Sequence, residues 1–135
     1  MAAIERLLAA TNAHDLEAIV GCFGSDYVNE TPAHPARGFV GSEQVRRNWN
    51  QILGAVRDLQ IELVAGAVDG TTIWTEQEHR GTRPDGSPHV MRGVVIFTVS
   101  EGLVRKARFY LEPLDTGAET VDEVLRRQLP DGAKR

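Results

Sequence analysis

An α+β fold, with helices laid on one face of an antiparallel sheet, follows from three features of the chain. Thr71 to Pro113 reads as three long strands joined at Asp85-Gly86 and Glu101-Gly102, with Asp69-Gly70 just upstream. Acid-Gly pairs between apolar runs favour hairpins, because their tight turns need backbone conformations open to Gly, Asn and Asp. The N-terminal third carries helical periodicity instead. The order of elements is two helices, a short strand, a third helix, four strands and a closing helix.

Each element has a local reason. Ala2 to Ala13 spaces Ile4, Leu7 and Leu8 along one helical face. Asp15 is an N-cap for a second helix, with Ala18, Ile19 and Phe23 on one side and Gly24-Ser25-Asp26 ending it. Tyr27 to Thr31 is a short extended segment closed by Pro32, and Pro35, Gly38 and Gly41 make the next stretch a loop. Ser42 starts a third helix whose stripe is Val45, Trp49, Ile52, Leu53 and Val56. Strands follow at Leu59–Val68, Thr71–Arg83, His89–Val99 and Leu103–Leu111. Ala118 to Leu129 is a closing helix before the polar tail PDGAKR.

The bulk properties narrow the function classes. The chain has 135 residues, so one domain is expected, with residues 1–117 as its body and 118–135 as a C-terminal helix and tail. Its 41% apolar content suits a packed core. A formal charge of −4, with bases interleaved among acids, argues against a nucleic-acid partner. No apolar run reaches the ~20 residues of a membrane helix, so no membrane partner is expected. The charged start MAAIERLLAA is unlike a secretory signal, which makes a cytoplasmic location the expectation. The single Cys22 allows no internal disulfide and sits in an apolar pattern, so it reads as a packing residue. His14, His34 and His79 with Glu30 match no zinc spacing. No phosphate loop, nucleophile elbow or dinucleotide fingerprint occurs. Neither metal nor cofactor is therefore expected.

The segments NAHDLEAIVGCFGSDYVNETP, GSEQVRRNW, VDGTTIWTEQEHRGT and VMRGVVIFTVSEGLVRKARFYLE, in that order and spacing, resemble the NTF2-like superfamily, in its SnoaL-like branch. The resemblance spans roughly residues 4 to 113. It implies a cone-shaped barrel: a curved, mostly antiparallel sheet with the N-terminal helices packed on its concave face around a deep pocket. It also implies a small hydrophobic ligand and a homodimer formed through the outer sheet face. The scaffold serves epoxide hydrolases, ketosteroid isomerases, polyketide cyclases, dehydratases and non-catalytic binding modules, so the fold alone leaves the activity open.

Carried over residue by residue, the resemblance is selective. Tyr27 and Asn29 stand where epoxide hydrolases of this fold orient the attacking water. Gln77, His79 and Phe109 stand where those enzymes have an Arg-x-Asp and a second Asp, so their carboxylate pair is absent. Thr31, Leu7 and Val95 replace the base, phenol and oxyanion acid of ketosteroid isomerases.

Alternation then divides the sheet. The apolar faces, read as inner, carry Gln77 and His79 on one strand and His89, Met91 and Val95 on the next; Leu103, Arg105, Ala107, Phe109 and Leu111 complete the set. His79 is the candidate acid/base, with Tyr27 and Asn29 as polarising groups, because an imidazole titrates near neutrality. Gln77, Thr31, Trp49, Met91, Phe109 and Leu111 are the candidate substrate contacts. If the faces are reversed, the polar site is Glu30, Glu76, Arg92, Arg108 and Glu112. The expected activity is cofactor-independent proton transfer, isomerisation, cyclisation or hydration of a small apolar metabolite. The alternative is a module that binds a hydrophobic ligand, or a dimeric partner, without chemistry.

Overall fold

The computed structural model describes residues 1–129; the tail from residue 130 onward lies outside the described residues. Helix α1 (Ala2–Asn12) buries Ile4, Leu7, Leu8 and Thr11, a spacing that places them on one face. Helix α2 (Leu16–Gly21) starts at Asp15, whose carboxylate accepts the Ala18 N–H at 3.1 Å.

The second helix is shorter than its apolar pattern suggests. Phe23 opens strand β1 (Phe23–Glu30) and pairs with Val104 instead of continuing the helix. Its buried ring gains more from the core than from one more helical turn. A 3-10 turn (Pro35–Arg37) and the two-residue strand β2 (Phe39–Val40) occupy the stretch read as loop, and β2 lies antiparallel to β1. Helix α3 (Ser42–Ala55) and strands β3 (Gln60–Asp69), β4 (Thr72–Thr82), β5 (Pro88–Ser100) and β6 (Leu103–Pro113) follow, then helix α4 (Val121–Gln128).

The six strands form a curved open sheet in the order β2-β1-β6-β5-β4-β3. Among the described residues β1 and β6 pair in parallel and every other neighbouring pair is antiparallel. The three hairpins β3–β4, β4–β5 and β5–β6 turn where the acid-Gly pairs Asp69-Gly70, Asp85-Gly86 and Glu101-Gly102 stand. Glu101 and Gly102 both have positive φ, 55° and 74°, as the twist-compatible two-residue turn requires. In the β4–β5 turn Asp85 accepts the Ser87 N–H at 2.9 Å and Gly86 takes φ 85°, and in the β3–β4 turn Gly70 takes φ 59°.

Strict alternation fails in β6. Thr98 pairs with Lys106 but Val99 pairs with Val104, so Arg105 is an extra residue. The bulge turns Val104 into the core in place of Leu103 and Arg105, and Arg105 reaches Asp26 Oδ1 at 3.2 Å. Beyond the bulge the expected faces resume, with Ala107 buried.

Helices α1 and α2 cover the concave face. Ile4 and Ile19 pack there against Ile73, Val95, Phe97 and Val104. Cys22 is buried in the same core and donates to Ala18 O at 3.3 Å. Helix α4 buries no residue and exposes Val121 and Leu125, with Leu129 exposed just after it. Among the described residues no helix is long and apolar enough to cross a membrane.

Candidate functional site

The core fills only the narrow, helix-covered part of the sheet. Beyond it, between α3, β1, β2 and the far ends of β4, β5 and β6, lies a cavity of about 380 Å³. That volume suits a small molecule. Phe23, Phe39, Trp49, Met91, Phe109 and Leu111 supply most of its apolar wall. Its polar groups are Tyr27, Asn29, Thr31, Asn48, His79 and His89, with Arg37 from the 3-10 turn. A shallower depression of about 570 Å³, between the end of α3 and the β4–β5 turn, shares Ile52 and His89 with it.

Tyr27 is 1% exposed, its ring edge-on to Phe23 with centroids 4.7 Å apart. Its hydroxyl donates to Asn29 Oδ1 at 2.7 Å, which the two-residue spacing on one strand face permits. Burial pushes the phenol well above its usual range, so it stays a protonated donor. Asn29 keeps its NH₂ for other partners.

His79 is 7% exposed and sits at the head of a buried chain on one face of β4. Its Nε2 lies 2.8 Å from Gln77 Oε1, Gln77 Nε2 donates to Thr75 Oγ1 at 3.0 Å, and Thr75 donates to Val95 O at 2.7 Å. The carbonyl of Val95 can only accept, and that fixes the direction of every bond in the chain. Thr75 must donate to it and accept from the Gln77 amide, so Gln77 Oε1 accepts from His79. The His79 proton therefore rides on Nε2. Nδ1 has no protein partner among the described residues and keeps its lone pair. Burial, with His89 nearby, pushes the His79 imidazolium down to about 4, so the ring is neutral at pH 7. His89 is lowered too, by burial and then by Arg83.

The cavity brings together His79, Tyr27 and Asn29 with Thr31, Trp49, Met91, Phe109 and Leu111. Gln77 is the exception: it lies beneath His79 and does not line the cavity. The reversed-face alternative is not gathered here. None of Glu30, Glu76, Arg92, Arg108 or Glu112 lines the cavity, because the pleat sends them to the opposite face. Lys106 Nζ stands 2.6 Å from Glu30 Oε1, Arg92 Nε 2.6 Å from Glu78 Oε2, and His34 Nε2 2.8 Å from Glu112 Oε1. His14, in the turn between α1 and α2, is half-buried, with Nε2 2.8 Å from Leu59 O.

Three polar lining residues fall outside the candidate set drawn from sequence. His89 shares the Met91 face. Asn48 lies three residues after Val45 and four before Ile52, on the same helical stripe, so both were within reach of periodicity. Arg37 follows Pro35 in an irregular stretch with no periodic signal.

Solved structures of the same architecture share little sequence with this chain. An epoxide hydrolase of Mycobacterium tuberculosis, resembling limonene-epoxide hydrolase, is 18% identical at TM-score 0.71, covering 98% of this chain and 94% of its own. A second M. tuberculosis protein, in complex with estradiol-17β-hemisuccinate, is 22% identical at TM-score 0.69, covering 80% and 89%. A Catenulispora acidiphila protein of ketosteroid isomerase-like fold, in complex with trimethylamine, is 13% identical at TM-score 0.70, covering 80% and 84%. No curated protein sequence matches the chain. The family model for the SnoaL-like domain matches residues 4–107, which includes β1, α3 and most of the sheet that build this cavity. The chain belongs to the SnoaL-like domain family.

Proposed function

We propose that this protein takes a small, largely apolar metabolite into the cone and moves a proton on it, with His79 as acid/base and no cofactor. The observation that carries the reading is the chain from His79 through Gln77 and Thr75 to Val95 O. It holds Nε2–H and leaves Nδ1 as the lone pair of a ring that lines the cavity. Nδ1 takes a proton from an activated C–H, from a hydroxyl or from water. The resulting imidazolium strengthens its bond to Gln77 Oε1. The Asn29 NH₂, its carbonyl side engaged by Tyr27, donates to the oxygen where negative charge develops. That oxyanion offsets the burial cost of the imidazolium, so proton transfer is easier with substrate bound than the empty cavity suggests. Isomerisation, cyclisation and hydration all fit this arrangement. Relatives of this fold with small ligands bound support the small-molecule part.

A second reading is a binding module without chemistry. Its support is that, among the described residues, no Asp or Glu lines the cavity. The outer sheet face, where Trp74 and Tyr110 are exposed, is the surface we propose for a homodimer.

Turnover and binding are measured side by side on enone, epoxide and polyketide-like panels, in wild type and His79→Gln. Proton transfer by His79 predicts a loss of roughly 10²–10⁴ in rate in the variant, with binding retained. Binding without turnover in the wild type establishes the module instead.

A further inference from the structure

The polar groups around the cavity are unbalanced. Asn29 Oδ1 accepts the Tyr27 hydroxyl and Asn48 Oδ1 accepts Gln44 Nε2, both at 2.7 Å. Each amide is left with its NH₂ to offer. Arg37 adds a guanidinium to the loop wall and makes no ion pair among the described residues. Among the described residues no Asp or Glu lines the cavity. A chain of net charge −4 thus places one cation, two amide donors and no anion around an apolar chamber.

We propose that the cavity selects an apolar molecule bearing a single carboxylate, with Arg37 supplying the charge and the Asn29 and Asn48 amides the remaining hydrogen bonds. A guanidinium matches a carboxylate in a bidentate fork. One guanidinium balances one negative charge. A dianionic phosphate would need a second, and the two histidines of the cavity are both shifted toward their neutral forms. The apolar wall excludes a ligand that is charged throughout. Arg37 is exposed at the side of the cavity, so a carboxylate bound there keeps part of its hydration while the apolar body is buried.

This inference rests on the reading that the cone binds a small apolar metabolite, and the test separates the two. Binding of 2-naphthylacetate, its methyl ester and 2-(2-naphthyl)ethylamine is measured by calorimetry at low salt. The proposal predicts that the acid binds about tenfold tighter than the ester and that the amine binds weakest. Arg37→Gln removes the preference for the acid and leaves ester affinity within about twofold, while Arg37→Lys retains part of it. Raising the salt weakens the acid and not the ester. Equal affinity for acid and ester in the wild type overturns the carboxylate site and leaves the apolar cavity standing. An acid preference that survives in Arg37→Gln overturns the role of Arg37. Failure of all three probes to bind overturns both readings.

Discussion

At the scale of single residues, the site depends on which atoms are already satisfied. Tyr27 is useful because its hydroxyl is spent on Asn29, which turns that amide to face the cavity with donors. Tyr27→Phe leaves the carbonyl of the half-buried Asn29 unpaired. We expect a loss of ~1–3 kcal/mol in stability, read by urea denaturation, and weaker binding of carbonyl ligands. Thr75 and Gln77 lie behind His79 in its hydrogen-bonded chain and do not line the cavity. Sequence alternation placed Thr75, Gln77 and His79 on one face, but it could not distinguish a residue that lines the cavity from one that orients its neighbour. That distinction depends on the depth of each side chain in the curved sheet. The exposed Arg37 was invisible for a different reason: its placement comes from a 3-10 turn and the two-residue β2, neither of which leaves a periodic trace.

At the scale of elements, the strands were readable and their irregularities were not. Acid-Gly pairs stand at all three hairpin turns, because positive φ is a local requirement. The bulge at Arg105 was not local. It is set by Val104 entering the core and Arg105 reaching Asp26 across the neighbouring strand. Phe23 moved from helix to strand for the same kind of reason. Strand β5 carries a further constraint at Gly93, whose φ is 153°. A Cβ there would collide with the Tyr110 carbonyl oxygen and stand 2.9 Å from Leu111 Cα. Leu111 lines the cavity, and Gly93 pairs with both Leu111 and Gln77. Gly93→Ala is therefore expected to cost ~1–3 kcal/mol and to perturb ligand binding, measured by thermal unfolding with and without ligand.

At the scale of the whole molecule, everything turns on which face of the sheet looks into the cone. Alternation alone left two faces open, and resemblance to the family favoured the apolar one. The curved sheet, the helices over its narrow part and the ion pairs on the opposite face agree with that choice. One global consequence is a pH dependence of stability. His79 titrates near 4 when folded and near 6.5 when unfolded, so the unfolded chain binds more protons between those values. Stability from this group is fully present above about pH 6.5 and is lost as pH falls through 4. Its total is roughly 3 kcal/mol. Urea denaturation of wild type against His79→Gln across that window isolates the contribution. The most direct test of the central claim is a ¹⁵N NMR titration of the His79 ring. A ring held by Gln77 with Nδ1 free for proton transfer stays in the neutral Nε2–H form from pH 8 down to near pH 4. A ring that protonates near 6.5, or that carries its neutral proton on Nδ1, contradicts the account.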